Sequence, residues 1–307
     1  MRLRRRLRHL RTVLTDRRWW PFYLQRRFMN QSARNGLARL ATRLRPRPLN
    51  EEPASDVQTR AIALGDVGFE HLGQLLSEAQ VAEVRAYLRS KPVADPYRPT
   101  HGSFLPDATV RHPESHVAYH TGKDVVLAPY LLELANRADL LEVASCFLGC
   151  RPTISYCTAW WSYHTPAGPQ EAENFHRDVD DWRFIKLFVY LSEVTAADGP
   201  HVYVKNSVGS ARLRQIRRFD DADVTDAFGP KNVLTLTGRA GQGFLENTFG
   251  IHKGQPVDQG PRLIFQAVYS MFPLPYGPRA PVARLQDVVF SRGSPDPWIN
   301  RLYLHRT

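Results

Sequence analysis

The hydrophobic pattern of the chain predicts helices before residue 150 and strands after it. The segment "LSEAQVAEVRAYLRSK" opens with a leucine and then Ser77, and Gln80 follows three positions later, which is the spacing of a capping box. Its apolar residues then recur three and four positions apart, so the segment predicts an amphipathic helix. The segment "APYLLELANRADLLEVASCFLG" predicts two short helices that end at Gly149.

Beyond residue 150 the apolar segments are short and are separated by Gly, Pro, Asp and Asn. They are rich in aromatic and β-branched residues, a pattern that predicts an antiparallel sandwich or barrel. Between residues 210 and 228 the pattern predicts one or two helices. A helical half followed by a β-rich half predicts an α+β domain with a mainly β core, in which helices from the N-terminal half brace a small barrel. The predicted strands lie in "RPTISYCTAWWSYH", "FIKLFVYLSEV", "HVYVKNS", "NVLTLTG", "GQGFLENT" and "RLIFQAVYSMF".

The composition predicts three segments. Residues 1–50 form a basic leader, and residues 51–60, in the Pro-rich and polar stretch "RPRPLNEEPASD", form a linker. Residues 61–307 form the folded domain, with a helical first part over 61–150 and a β core over 151–275.

The positive charge of the chain is concentrated in the leader. Residues 1–50 contain fifteen arginines, no lysine and one acid, Asp16, whereas the whole chain carries a net charge of +11. The leader therefore carries +14, and the other 257 residues together carry −3. A nucleic-acid-binding barrel would be basic itself, so the pattern disfavours nucleic acid as a partner.

The leader has an apolar face among its arginines, with leucines at positions 3, 7, 10 and 14. Such a helix, followed by the aromatic residues Trp19, Trp20, Phe22 and Tyr23, suits an anionic membrane surface or an acidic partner over residues 1–28. A solvated arm or a packing helix is the alternative that the pattern leaves open.

The chain lacks an apolar run of the ~18 to 20 residues that span a bilayer, and it lacks the features of a secretory signal. We therefore expect a cytoplasmic protein, with peripheral attachment at a membrane surface as the alternative. Three cysteines are too few for a disulfide framework, and their number is odd.

The segment "NFHRDVDDW" carries the first candidate chemistry. In an extended segment, residues two apart point to the same side, so His176 and Asp178 would project together as two metal ligands. Two histidines and one carboxylate on one face of an octahedron leave three positions open, as in non-haem Fe(II) oxygenases. On the strand that follows, Lys186 and Tyr190 share a face that we expect to be the barrel interior. Lys186 there would meet an anionic group of a cosubstrate or substrate, or else it is a charge at the edge of the sheet.

A second histidine and an arginine come later in the chain. His252 follows a glycine-rich bend, and Arg262 begins the next predicted strand ten residues on. An antiparallel return of that length could bring the arginine beside the metal ligands, where its planar fork would pair with a carboxylate.

Together these motifs resemble the phytanoyl-CoA dioxygenase-like family of Fe(II)- and 2-oxoglutarate-dependent oxygenases. The resemblance spans roughly residues 65 to 273. It rests on "GFEHLGQLLSEAQVAEVRAYL", "NFHRDVDD", "LFVYLSEVTAADGPHVYVKNS", "GFLENTFGIHKG" and "GPRLIFQAVYS".

The resemblance implies a double-stranded β-helix, a jelly-roll, cupin-like barrel. It implies that His176, Asp178 and His252 bind Fe(II) and that Arg262 binds 2-oxoglutarate, with dioxygen as the second cosubstrate. The implied activity is a dioxygenase that hydroxylates a C–H bond of a small-molecule or lipid-like metabolite. Many members have a hydroxyl residue two positions after the distal histidine, where this chain has Gly254.

Two other functions are compatible with parts of the sequence. One is a jelly-roll module that binds ligands without catalysis, although such a module would be expected to have lost at least one of the four key residues. The other is a protein that binds nucleic acid or a membrane through its basic leader. For the enzyme, Lys186 and Tyr190 are further candidates for cosubstrate contacts.

Overall fold

The computed structural model describes residues 13–106, 111–291 and 293–305. Two antiparallel sheets face each other across a cavity, and helices cover the outer face of the larger sheet. Within the described residues the α-helices are α1 (Trp19–Gln25), α2 (Gln31–Thr42), α3 (Ser55–Asp66), α4 (Glu78–Arg89), α5 (Gly122–Leu127), α6 (Leu131–Ala135), α7 (Ala138–Leu148) and α8 (Asp221–Phe228). None of them combines the length and the apolar character that crossing a bilayer requires.

The strands form a sheet of eight, a sheet of three and a small pair. They are β1 (Phe69–Gln74), β2 (Val93–Ala94), β3 (Ser103–Phe104), β4 (Val117–His120), β5 (Thr153–Ser162), β6 (Phe184–Tyr190), β7 (His201–Val204), β8 (Val233–Leu236), β9 (Gln242–Glu246), β10 (His252–Gly254), β11 (Arg262–Ser270), β12 (Ala283–Arg284) and β13 (Leu304–His305). The larger sheet has the order β1-β9-β6-β11-β5-β4-β2-β3, and the smaller has the order β10-β7-β8. The mainly β core braced by helices agrees with the expectation from the sequence.

Strand β6 shows how the larger sheet separates two cores. Ile185 and Leu187 point outward into the apolar core beneath the helices. Phe188 and Tyr190 point inward, toward the smaller sheet. Both faces of the strand are covered, which explains its continuous apolar run. Because β6 lies between β9 and β11, the interpretation of Lys186 as an edge charge is wrong.

Several helix predictions are confirmed. Ser77 and Gln80 form both hydrogen bonds of the capping box at the start of α4. Helix α7 ends at Gly149, whose φ of 72° lies in the left-handed region that favours glycine. In the segment from 210 to 228, only the second half is helical, as α8.

The N-terminal segment is more closely attached to the domain than its composition suggests. Helix α2 buries Arg34 and Ala38, and α3, which begins inside the predicted linker, packs on α7. The structured domain therefore extends N-terminally beyond the predicted boundary near residue 60. The difference arises because α2 uses an arginine on its buried face, and composition counts an arginine as solvent-exposed.

Arg34 joins α2 to the segment that carries the candidate metal ligands. Its guanidinium donates to the backbone carbonyls of Gln25 and Phe28, and to that of Asp181. The guanidinium carbon of Arg34 also lies over the ring of Phe249, 4.5 Å from the ring centroid. Burial lowers the pKa of Arg34 to about 10, which still leaves it charged at neutral pH.

Of the leader's predicted apolar face, Leu3, Leu7 and Leu10 lie outside the described residues. Leu14 is exposed, and so is Trp20 on α1. The inward side of α1 is held by Gln25, whose amide donates to the carbonyl of Val179 over 2.6 Å.

We expect Arg34→Met to lower the free energy of unfolding by about 2 kcal/mol or more, because the carbonyls of Phe28 and Asp181 lose their guanidinium donor. Urea denaturation followed by tryptophan fluorescence measures this change. Arg39→Met on the exposed side of the same helix is the control, and it should stay within about 0.5 kcal/mol of the parent. Equal effects of the two substitutions would show that α2 does not depend on its buried arginine.

Candidate metal centre

One backbone pairing brings the two candidate histidines together. His176 N donates to His252 O over 2.9 Å, and His252 N donates to His176 O over 3.0 Å. The extended segment continues to Asp178, whose N–H donates to the carbonyl of Thr248. Residues 76 positions apart therefore lie side by side, with their ring centroids 4.3 Å apart.

The glycine-rich bend before His252 is required by close packing. A Cβ at Gly250 would collide with the hydroxyl of Tyr203, so the turn into β10 needs glycine. This contact fixes the start of the strand that carries His252.

The side chains of His176, Asp178 and His252 converge. Asp178 Oδ1 lies 3.6 Å from His176 Nε2, and Asp178 Oδ2 lies 3.3 Å from His252 Nε2. All three ligand atoms lie within 4.8 Å of one another. Neighbouring ligands of an octahedral ion with bonds of about 2.1 Å lie about 3 Å apart, so a small inward shift would suffice to hold a metal ion.

Backbone carbonyls orient both imidazoles for ligation. His176 Nδ1 donates to Asn174 O over 2.9 Å, and His252 Nδ1 donates to Gly250 O over 3.0 Å. In the neutral form each ring then keeps its Nε2 lone pair for a metal ion. Burial opposes protonation of His252, but Asp178 outweighs it and raises the pKa of His252, so a bound cation would replace this proton; the donor set fits a metal ion.

The electrostatics of the group favour a deprotonated carboxylate. Burial opposes ionisation of Asp178, but the neighbouring charges of Lys186 and His252 outweigh it and hold its pKa well below the ordinary value. Burial and the nearby His252 keep the pKa of His176 well below its ordinary value, so this imidazole is neutral. Both are the protonation states that metal ligation needs.

Lys186 contacts the carboxylates of the site. Its Nζ lies 2.6 Å from Asp178 Oδ2 and 3.0 Å from Asp180 Oδ2, and the side chain is buried. Burial acts against the charged amine, but the two aspartates outweigh it and raise the pKa of Lys186. In the described structure Lys186 therefore supplies the countercharge of Asp178.

The three aspartates of the motif have different partners. Asp178 joins the histidines, whereas Asp180 faces Lys186 from the other side. Asp181 accepts hydrogen bonds from the backbone N–H groups of Trp182 and Phe272, outside the site. The alternation of an extended chain thus separates Asp178 from Asp181, whereas Asp180 shares Lys186 with Asp178.

Arg262 lies at another end of the same cavity. It is buried, its Nη2 donates to Ser162 Oγ over 2.8 Å, and its Nε has no hydrogen-bond partner among the residues that the structure describes. Gly254 packs beside it, since a Cβ there would lie 3.6 Å from Nη2. A buried guanidinium with an unpaired N–H suits a ligand carboxylate.

Ser162 is a residue that the sequence interpretation missed. In the register of β11 against β5 it stands directly opposite Arg262, so its hydroxyl reaches the guanidinium. It supplies a hydroxyl near the arginine where Gly254 supplies none. The contact of Ser162 with Arg262 follows from the pairing register of β5 and β11, and a single sequence does not show that register.

Tyr190 and His201 occupy the inner core behind the metal ligands. The hydroxyl of Tyr190 donates to Leu236 O and accepts from His201 N, so both bonds go to the backbone, and contact with a cosubstrate stays a prediction. His201 Nε2 lies 2.9 Å from Glu246 Oε2, and its ring stacks on His252 with centroids 5.5 Å apart. Burial raises the pKa of Glu246 to about 8.

Arg177 braces the segment from the side opposite the ligands. Its guanidinium donates to the carbonyls of Leu213, Phe249 and Ser207, among others. These bonds hold the backbone between His176 and Asp178, so the residue contributes to the position of both ligands. The sequence indicates only that it points away from them.

The cavity between the sheets has a volume of about 470 Å³. Its polar lining includes the metal-ligand group, Lys186, Arg262, Asp180 and Gln266, and much of the remaining wall is aromatic. Tyr119 and Trp160 stack in that wall with centroids 5.4 Å apart. The other aromatic rings that line it are Tyr97, Tyr156, Phe188 and Tyr276.

A second group that could hold a metal, His101, His112 and Glu114, lies toward the surface. The two rings stack at 3.6 Å with 19° between their planes. Lone pairs lie in the ring planes, so they run nearly parallel and do not converge on one point. The buried group therefore fits a metal ion better.

In the metal-free protein we expect Lys186→Met to lower the free energy of unfolding by about 3 kcal/mol, because Asp178 and Asp180 lose their countercharge in a buried site. A divalent ion should then stabilise the variant more than the parent, since the ion becomes the countercharge. Urea denaturation with and without Mn(II) measures both effects.

The control for this prediction is Lys231→Met in metal-free protein. Lys231 is exposed, so its loss should change the free energy of unfolding by no more than about 0.5 kcal/mol. Equal losses for the two lysines, or an equal gain from Mn(II) in variant and parent, would contradict the assigned role of Lys186.

The fold is similar to that of proteins with solved structures. EctD from S. alaskensis, solved with 2-oxoglutarate and 5-hydroxyectoine, aligns with a TM-score of 0.51 at 20% identity, over 85% of this chain and 94% of that chain. Weaker likenesses are the α-ketoglutarate-dependent carbocyclase SnoK from nogalamycin biosynthesis (0.48, 19% identity, 73% and 86%) and AviO1 from Streptomyces viridochromogenes Tue57 (0.45, 18%, 75% and 100%). No protein-family model and no curated protein matches the chain. At these identities the likeness to EctD establishes the fold alone.

Proposed function

We propose that the protein is an Fe(II)- and 2-oxoglutarate-dependent dioxygenase of double-stranded β-helix fold, resembling the phytanoyl-CoA dioxygenase-like branch. The observation that carries the proposal is the buried group of His176, Asp178 and His252, which shares one cavity with Arg262. Neutral imidazoles and a carboxylate form the facial set of non-haem iron oxygenases. EctD, of similar fold, was solved with 2-oxoglutarate, which supports the same cosubstrate for this cavity.

In this proposal His176, Asp178 and His252 hold the iron, and three positions remain for 2-oxoglutarate and dioxygen. Bound iron would couple the oxidative decarboxylation of 2-oxoglutarate to the hydroxylation of a substrate C–H bond. Arg262, assisted by the Ser162 hydroxyl, pairs with the far carboxylate of the cosubstrate and sets its orientation.

The chain's other residues position and enclose the site. Asn174 and Gly250 fix the tautomer and direction of the imidazoles through their carbonyls. Lys186 holds Asp178 Oδ2, and the inner core around Tyr190 and Phe188 keeps water from the back of the site. The aromatic wall is suited to a small-molecule or lipid-like substrate with apolar surface.

A function of pure ligand binding would not require this donor set. A carboxylate and two imidazoles gathered in a buried site are costly to maintain when the site never holds a cation. The alternative of a non-catalytic jelly-roll module is therefore less well supported, and it predicts no turnover of 2-oxoglutarate.

We expect Asp178→Asn to abolish metal binding, because the site loses its only charged ligand. Asp180→Asn is the matched control, and it should retain binding that is weakened about 10- to 100-fold, as for residues that orient a ligand. Calorimetric titration of the two metal-free variants with Fe(II) under anaerobic conditions measures this difference in affinity. Loss of binding in Asp180→Asn alone would transfer the ligand role to Asp180.

We expect Arg262→Met to raise the Kd for 2-oxoglutarate about 30-fold or more while Fe(II) binding persists, because the buried carboxylate loses its charged partner. The measurement is the visible charge-transfer band of the anaerobic complex as 2-oxoglutarate is added. His176→Ala should show no band. Parent protein that binds Fe(II) but gives neither a band nor succinate in the presence of dioxygen would overturn the proposed function.

A further inference from the structure

Helix α1 presents an exposed apolar surface on the side away from the core. The surface, termed the aromatic face, consists of Leu14, Trp20, Tyr23 and Leu24. These side chains are between 39% and 63% exposed. Single exposed apolar residues are ordinary, but a group of this size on neighbouring segments indicates an interaction surface.

Ring contacts connect the aromatic face to the cavity wall. The ring of Phe22 meets that of Tyr23 at 5.5 Å and that of Tyr276 at 6.4 Å, both edge to face. The indole nitrogen of Trp20 donates to the carbonyl of Val13, so this ring folds back toward Leu14. Arg18 donates to the carbonyls of residues 274, 277 and 278, and it thereby ties the start of α1 to the Tyr276 loop.

The aromatic face is bordered by positive charge. Arg17, Arg27 and Arg279 are exposed. The only acid among residues 13–50 is Asp16, which is 11% exposed and is paired with Arg18. In the sequence, six more arginines precede residue 12. The face and its border thus combine aromatic, aliphatic and cationic groups without an unpaired acid.

The aromatic face adjoins the wall of the catalytic cavity. Tyr276 lines the cavity, where its ring stands edge-on to Tyr156 at 5.0 Å. The same ring also contacts Phe22 of α1. A partner bound to the aromatic face would therefore be separated from the cavity wall by the ring of Phe22.

We propose that the aromatic face docks the protein on the surface of an anionic lipid bilayer, with this wall of the cavity beside the lipid. Trp and Tyr prefer the bilayer interface, Leu14 and Leu24 would enter the acyl boundary, and the arginines would pair with anionic headgroups. Nucleic acid is a poorer match for two reasons. Contacts with phosphates would not bury the exposed leucines, and residues 51–307 carry a net charge of −3. Docking in this way would bring a lipid-like substrate in the membrane close to the cavity. This consequence rests on the proposed oxygenase function.

The test is co-sedimentation of the full chain with vesicles of phosphatidylcholine alone or of phosphatidylcholine with an equal part of phosphatidylglycerol. We expect binding to the anionic vesicles only, weakened by added salt. Trp20→Ala/Leu24→Ala should bind about tenfold more weakly, since both side chains leave the interface. Arg17→Gln/Arg27→Gln should lose affinity and part of the salt dependence.

The matched control is Ile62→Ala/Val289→Ala, which removes two apolar side chains that are 62% and 80% exposed elsewhere. It should bind as the parent does. The proposal is overturned by absence of binding to anionic vesicles, by unchanged binding of both face variants, or by an equal loss in the control. Binding to RNA in place of vesicles also overturns it. Fe(II) binding by each variant shows separately whether the metal site is intact, so failure of docking and failure of the oxygenase proposal are distinguishable.

Discussion

The candidate site depends on two backbone hydrogen bonds between His176 and His252. They join the segment before β6 to the short strand β10, and they set two imidazoles from distant parts of the chain at one place. Everything else in the site is arranged around this pairing. The carbonyls of Asn174 and Gly250 orient the rings, and Arg177 holds the backbone between the first two ligands.

Burial of like and unlike charges sets the chemistry of the cavity. Asp178 is kept ionised by Lys186 and His252 although burial alone would protonate it. At the other end, Arg262 stays buried with a serine as its partner and one N–H unpaired. A divalent cation and a dicarboxylate are the ligands that would complete these two ends, since three donor atoms converge at one end and the Nε of Arg262 has no hydrogen-bond partner among the described residues at the other.

The N-terminal helices connect this site to the surface. Arg34 and Gln25 bind carbonyls of the segment that follows Asp178, so α1 and α2 support the back of the metal centre. The other side of α1 carries the aromatic face, which reaches the cavity wall through Phe22 and Tyr276. One short helix thereby contacts the segment of the metal ligands on one side and carries the proposed lipid-binding surface on the other. This coupling is physical contact between packed rings and does not require a conformational change.

The sequence by itself determined the periodic features, because they depend on neighbours in the chain. The capping box at Ser77, the stop at Gly149, the strand segments and the alternation that separates Asp178 from Asp181 all follow from local geometry. The grouping of His176, Asp178 and His252 was reached through a family resemblance, since no local pattern joins residues 76 positions apart. Tertiary structure alone decided the partners of long side chains. Lys186 pairs with aspartates, Ser162 faces Arg262 through strand register, and Arg34 makes the basic leader part of the domain. These choices depend on burial and on non-local packing, which decide whether a charged residue faces water or a partner.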